Sequence, residues 1–296
     1  MTVQDGKSVE NDIVQNLEIT QQYKILEARF DQAAKLYDAQ YGPPSGSKPG
    51  NPLVCWLREE HLALLRTLVK PGGALLDIGC GTGEEAIRLA QDGFSVLGVD
   101  ISPAMVWQAQ AKAGSYGLGR CVMSKVLPAG RLATLDERGP FQGAFASLGT
   151  LNTEPDLPGF VEGLHALLEP GAPFVATVMS RHCLFEVLRD LRPFTPDESL
   201  KRASGWTEAR AGTGGVVAPV RFYTPQEFAS PFAPYFSVET VWAFPLWLPP
   251  VHLYDVYRAR QEHFKRLEGR ERRMRSWPGF RAWGDHFLMV LRHKTE

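Results

Sequence analysis

Three glycines, Gly79, Gly81 and Gly83, stand at alternate positions after the apolar run Ala74–Ile78 and before Glu84–Gln91, whose apolar residues return with helical spacing. A strand that turns on glycines into a helix lets a ligand approach the backbone without meeting a β-carbon, as in the cradles of nucleotide-like cofactors. Asp77 lies two residues before the first glycine. Asp100 closes the next apolar run, 21 positions after Gly79, where a carboxylate can accept hydrogen bonds from both hydroxyls of a ribose. The dinucleotide pattern GxGxxG needs its third glycine where Glu84 stands. A pyrophosphate would be poorly placed beside Asp77, Glu84 and Glu85, whereas the cationic amino-acid end of S-adenosylmethionine would be well placed.

The elements that must hold this turn alternate along the chain. Residues 1–20 carry few apolar anchors and read as a frayed start, and Gln21–Tyr37 repeats apolar residues with helical spacing. The segment GPPSGSKPGNP reads as a loop, and Leu53–Leu68 as a second amphipathic helix. Strands follow at Ala74–Ile78, Phe94–Val99, Cys121–Leu127, Phe141–Ser147 and Pro173–Met179, with helices between them. Ser102 and Pro103 supply an N-cap and a first helical residue. Strands alternating with helices imply a mostly parallel sheet covered on both faces. Phe236–Leu246 and His286–Arg292 read as a closing pair of strands. Leu184–Leu191 and Thr224–Phe232 read as helices, Arg192–Ala218 as irregular, and Val251–Ser276 as a helix or helix pair.

In order and spacing, AKLYDAQYG, LLDIGCGTGEEAIRLA, VLGVDISPAMVWQAQ and SLGTLNTEPDLPGFVEGLHALLEPGAPFV, between Phe30 and Arg181, resemble the class I S-adenosylmethionine-dependent methyltransferases. The resemblance implies that Asp77 orients the cofactor ammonium and that the backbone of Gly79, Cys80, Gly81, Thr82 and Gly83 packs on its methionine and ribose parts. Asp100 would hold the ribose hydroxyls, Ile101 and Met105 would border adenine, and Ser147 and Leu148 would sit near the sulfonium. Tyr37 looks like a lid tyrosine over the amino-acid end. The family often has an acid just after the third strand to receive the adenine amino group; here the stretch is MSKVLPAGRL, leaving Ser124 or backbone near Leu127 for that contact.

Other features bound the function. A formal net charge of −1 gives no global reason to expect nucleic acid. The four cysteines, Cys55, Cys80, Cys121 and Cys183, form no CxxC pair, which argues against a zinc site. The polar N-terminus lacks a signal-peptide pattern, and no apolar run approaches the length of a membrane span, so the expected location is the cytoplasm. His182, just after the fifth strand, is the candidate base. His286 beside Asp285 reads as a structural hydrogen bond, and His165 as structural. Tyr41, Asn152, Trp242, Trp247 and Tyr254 are candidates for an acceptor pocket. Arg258–Arg275 holds eight Arg or Lys and three Glu, a basic helix that can sit solvated or rest on an anionic membrane surface.

The reading is an α/β, Rossmann-like, doubly wound single domain over 1–296, with a mostly parallel seven-stranded sheet whose last strand is antiparallel. An N-terminal helix and lid loop fall at 21–50, a cofactor-binding core at 51–183, cap insertions at 184–235 and 247–280, and closing strands at 236–246 and 286–292. The expected function is methyl transfer from S-adenosylmethionine to a small-molecule or lipid-like acceptor. An NAD-dependent oxidoreductase and a non-catalytic S-adenosylmethionine-binding accessory protein are the alternatives.

Overall fold

A computed structural model of the chain describes residues 3–42, 50–137, 139–190, 202, 204–210 and 217–295. Helix α1 runs from Val3 to Tyr41 and α2 from Pro52 to Leu68, where Asn51 caps the N-terminus by accepting from Leu53 N and Val54 N. β1 (Ala74–Ile78), α3 (Glu84–Gln91), β2 (Ser95–Asp100), α4 (Pro103–Ser115) and β3 (Val122–Val126) follow. Then come β4 (Gly143–Ala146), α5 (Leu157–Leu167), β5 (Pro173–Met179) and α6 (Leu184–Asp190). The second half holds β6 (Trp206–Arg210), β7 (Val217–Arg221), α7 (Pro225–Ala229), β8 (Phe236–Phe244), α8 (Tyr254–Ala259), α9 (Gln261–Met274) and β9 (His286–His293).

Seven strands form one sheet in the order β3-β2-β1-β4-β5-β9-β8. The strands from β3 to β5 pair in parallel, and β9 runs antiparallel to both β5 and β8. Neighbouring residues of each inner strand go to opposite faces because side chains alternate across a sheet. Leu76, Phe174 and Phe287 enter the core under α5, while Leu75, Val175 and Leu288 enter the core under α2 and α3. Both faces are covered, so these strands are apolar throughout rather than alternating. The strand order reverses between β1 and β4, which opens a crevice at their carboxyl ends where ligands bind in open α/β sheets.

Two segments differ from the reading of the sequence. Residues 3–20, expected to fray, continue α1, and Ile19, Tyr23 and Leu26 bury themselves with Ala218 of β7. The partner that holds this stretch comes from the far half of the chain, where no local pattern announces it. In the segment expected to be irregular, β6 and β7 pair as an antiparallel two-stranded sheet, with Trp206 opposite Arg221. The expected lid loop lies largely in residues 43–49, outside the described residues.

Candidate functional site

The glycine turn is pinned to the second strand. Gly79 N and Cys80 N both donate to Val99 O, at 2.8 and 3.0 Å, and Gly81 N donates to Asp100 Oδ2 at 2.9 Å. Asp100 Oδ1 accepts Ser102 N at 2.9 Å, so each carboxylate oxygen holds one backbone N–H and retains lone pairs. Gly79 has φ +67°, and a Cβ there would lie 2.1 Å from Thr150 Cγ2. Gly81 has φ +52°, and its nearest neighbour on that side is Tyr37 Cε1 at 3.7 Å, across the mouth of a cavity.

That cavity, about 810 Å³, is at the upper end of the ~300–1,000 Å³ common for small-molecule sites. One half is walled by Asp77, Gly79, Gly81, Asp100, Ile101 and Met105, with Leu127 and Pro128 beyond β3 and Tyr37 above. Asp77 is 2% exposed and its Oδ2 has no hydrogen-bond partner among the described residues. Burial, reinforced by the charges of Glu85 and Asp100, drives the Asp77 carboxyl well above the usual range, and Arg58 only partly opposes this. Burial likewise lifts Asp100 to about 6, against the two N–H groups it accepts. Glu85 also lies in burial that raises it, yet Arg58, 2.7 Å away through Nε, brings it below its ordinary value. This wall is therefore acidic and short of one cation.

The other half of the cavity is built by β7, residues 251–253, α6 and the start of β9. Buried Arg202 organises it. Its Nε and Nη2 grip Glu186 at 2.6 and 2.9 Å, Nη2 also meets Asp285 Oδ1 at 2.5 Å, and Nη1 donates to Ser180 O and Asp285 O. Asp285 Oδ2 lies 3.0 Å from Nδ1 of His286, whose ring lines the cavity and whose Nε2 has no hydrogen-bond partner among the described residues. Burial works to raise Asp285, but Arg202 and His286 hold it far below the ordinary carboxylate range. Cys183, Glu186 and Asp285 present ligand atoms within 4.8 Å of one another, yet the guanidinium of Arg202 already takes both carboxylates. A metal cation there would meet that positive charge.

Comparison with known proteins fits this architecture. Residues 75–171, from the first strand past the glycine turn and beyond α5, match the family described as a methyltransferase domain. A ubiquinone biosynthesis O-methyltransferase of Methylobacterium nodulans is 28% identical over 160 residues, 52% of this chain and 62% of that one. A demethylmenaquinone methyltransferase of Symbiobacterium thermophilum is 26% identical over 51% of this chain and 58% of that one. The CcbJ methyltransferase of Streptomyces caelestis superposes with a TM-score of 0.55 at 18% identity, over 90% of this chain and 98% of that one. The match to a methyltransferase domain is thus confined to residues 75–171, and the fold is shared with the Streptomyces caelestis methyltransferase. Across the curated relatives it matches, the aligned part spans from 16% to 62% of their own length.

Tyr37, Tyr41, Asp77, Gly79, Cys80, Gly81, Thr82, Asp100, Ile101, Met105, Leu127, Ser147 and Leu148 come together on one cavity. Ser147 Oγ is buried there without a partner among the described residues. Several candidates lie elsewhere. Gly83 faces Ala109 of α4, where a Cβ would approach within 3.0 Å, so it serves helix packing. Ser124 sits across the sheet beside Cys80 and Gly98, away from the cavity wall. Asn152 is 0% exposed and ties Met179 to Arg221: Nδ2 donates to both carbonyls and Oδ1 accepts Met179 N. Trp242 lies under the guanidinium of Arg275 at 4.0 Å, and Trp247 packs on Phe280. The side chain of Tyr254 lies outside the described residues.

His182 packs tilted against Trp283 with ring centroids 5.3 Å apart and is not among the residues that wall the cavity, whereas His286, read as structural, is. Antiparallel pairing opposite Met179 brings His286 to the carboxyl edge of the sheet. His165 bonds His293 at 2.7 Å on the opposite edge, as a structural residue would. Arg58 and Arg202 were not legible as site residues. Arg58 had one available signal, a cation on the buried stripe of α2 that needs a buried acid; Arg202 had none, because its partners are far away in sequence.

Proposed function

We propose that the chain moves a methyl group from S-adenosylmethionine to a small or lipid-like acceptor, and that the two ligands share the cavity described above. The carrying observation is the buried Asp77 Oδ2, unpartnered among the described residues, beside a glycine turn whose Gly81 takes φ +52° and lines the same cavity. An acceptor-only carboxylate in that setting calls for a cationic donor, and an ammonium supplies one. The free lone pairs of Asp100 suit a diol, and Ile101, Met105 and Leu127 offer apolar contact for a flat base. A pyrophosphate would meet Glu84 and Glu85 in the first turn of α3, so the nicotinamide reading is disfavoured.

When bound, the cofactor supplies an electrophilic methyl group on a sulfonium, so positioning can supply much of the rate. The residues of this chain do the rest. Tyr37 and α1 cover the acidic wall and exclude water. Asp285, fixed by Arg202, orients His286 through Nδ1 and leaves Nε2 free to take a proton from an acceptor hydroxyl or amine. Relatives named for ubiquinone and menaquinone methylation support a quinol-like acceptor, and the apolar wall of Val217, Val220, Phe222 and Val251 suits such a ring.

Calorimetric titration with S-adenosylmethionine and with its demethylated product tests the reading on the parent chain and on Asp100→Ala. Micromolar binding that the substitution weakens tenfold or more, about 1.4 kcal/mol, is the expected outcome. No binding to the parent chain would overturn it. With quinol and phenol acceptors, His286→Ala is expected to lower turnover by about 10²–10⁴-fold while cofactor affinity stays.

A further inference from the structure

Helix α9 is anchored on one side only. Phe264 buries with Leu53, Leu248 and Tyr257, and Glu271 is 0% exposed and accepts Leu246 N and Trp247 N. Arg272 and Arg275 both bind Glu60 of α2, at 2.7 and 2.6 Å. These contacts fix the rotation of the helix. On the opposite face, Arg266, Arg270 and Arg273 recur at i, i+4 and i+7, all exposed, and none has an ion-pair or hydrogen-bond partner among the described residues. Four residues past Arg273, over a turn closed by Trp277 N donating to Met274 O, Trp277 extends the stripe and is 54% exposed.

Like charges one turn apart repel and weaken a helix, and an indole left in water loses the burial that usually justifies it. Three arginines and a tryptophan in one line therefore fit a surface that is anionic at its face and apolar just beneath. We infer that the outer face of α9 docks on an anionic lipid bilayer, with Trp277 seated at the headgroup level. Tryptophan prefers that interface, and arginine stems cover apolar surface while their heads meet phosphate. Residues 251–253, which wall the acceptor half of the cavity, lead directly into α8 and α9. The overall charge of −1 makes this stripe a local feature, and its convex single-helix shape offers no groove to a nucleic acid strand. The inference stands on the helix face alone and does not depend on the proposed methyl transfer.

Sedimentation of the full chain with sucrose-loaded vesicles tests it, using phosphatidylcholine alone and phosphatidylcholine with one third phosphatidylglycerol. Binding is expected only to the anionic vesicles and is expected to fall with added salt. Each arginine near such a surface is worth about fivefold in partitioning, so Arg266→Gln, Arg270→Gln and Arg273→Gln together should weaken binding on the order of 100-fold. Trp277→Ser alone should weaken it further than salt does at equal charge. Arg266, Arg270 and Arg273 have no partner among the described residues, so the triple variant should melt with the parent, and Trp277, whose ring meets Phe280 with centroids 6.3 Å apart, should cost little on substitution, which separates lost docking from lost folding. Absence of binding to anionic vesicles, equal binding by the triple variant, or binding to a labelled single-stranded RNA in preference to vesicles would each overturn the proposal.

Discussion

Replacing Arg202 by Met removes the cation that two buried carboxylates share. Glu186 and Asp285 are 1% and 3% exposed, and Arg202 reaches them through contacts of 2.5, 2.6 and 2.9 Å. Methionine matches much of the stem volume, so the change isolates the charge and its hydrogen bonds. Breaking a buried pair while leaving its acids in place costs about 3–5 kcal/mol. At about 2 °C per kcal/mol for a chain of this size, melting should fall by about 6–10 °C near pH 8. In the parent, Asp285 is held below its ordinary value, so its stabilisation is fully present above the unfolded pKa of about 4 and is lost only in stronger acid. In the variant, burial acts on Asp285 with His286 and His252 left to oppose it but without the guanidinium, the largest opposing charge, so the group rises. A raised carboxylate destabilises the fold above its pKa and ceases to do so once protonated. The deficit should therefore narrow as pH falls from 8 to 5. Circular-dichroism melts of both proteins across that range measure it. A variant that melts with the parent throughout, or whose deficit grows in acid, would refute the reasoning.

Further expectations follow from the same geometry. Protonation of Asp100 removes lone pairs the ribose needs, so affinity for S-adenosylmethionine should drop as pH falls below about 6, and calorimetry on Asp100→Asn should show that dependence flattened. Gly72, with φ +86° and nothing within 4 Å of a new Cβ, should lose about 1 kcal/mol on substitution by Ala. Gly79→Ala should lose several times more, because Thr150 stands 2.1 Å from the new carbon; chemical denaturation of both variants checks the ranking. Asn152→Ala should lower stability by about 2–3 kcal/mol without altering cofactor affinity, since its amide serves only backbone groups. Tyr23→Phe removes the hydroxyl that donates to Glu154 at 2.5 Å but leaves that carboxyl the N–H groups of Asp156 and Gly130, so stability should fall by only the ~0.5–1.5 kcal/mol of one hydrogen bond, read by chemical denaturation.

What the sequence by itself determined lies between Ala74 and Met179. There each element is local: an apolar run fills a strand, Ser102 and Pro103 open a helix, and glycines at 79 and 81 allow the positive φ of the turn. Asp77 and Asp100 follow from the same local logic, since one is the penultimate residue of the strand that enters the turn and the other ends the next strand. The antiparallel closing pair was also legible, because Phe236–Phe244 and His286–His293 are apolar and β-prone in their own right. Only the tertiary structure decided the acceptor half. Arg202 and Asp285 are 83 residues apart, Arg58 and Glu85 are 27 apart, and Tyr23 and Glu154 are 131 apart. A charged residue's neighbours across such separations are set by how helices and strands pack, and no local periodicity carries that information. His286 and His182 show the difference within one residue type. Both adjoin the carboxyl edge in sequence, but the antiparallel register of β9 against β5 brings His286 to the cavity, while the chain leaving β5 packs His182 against Trp283.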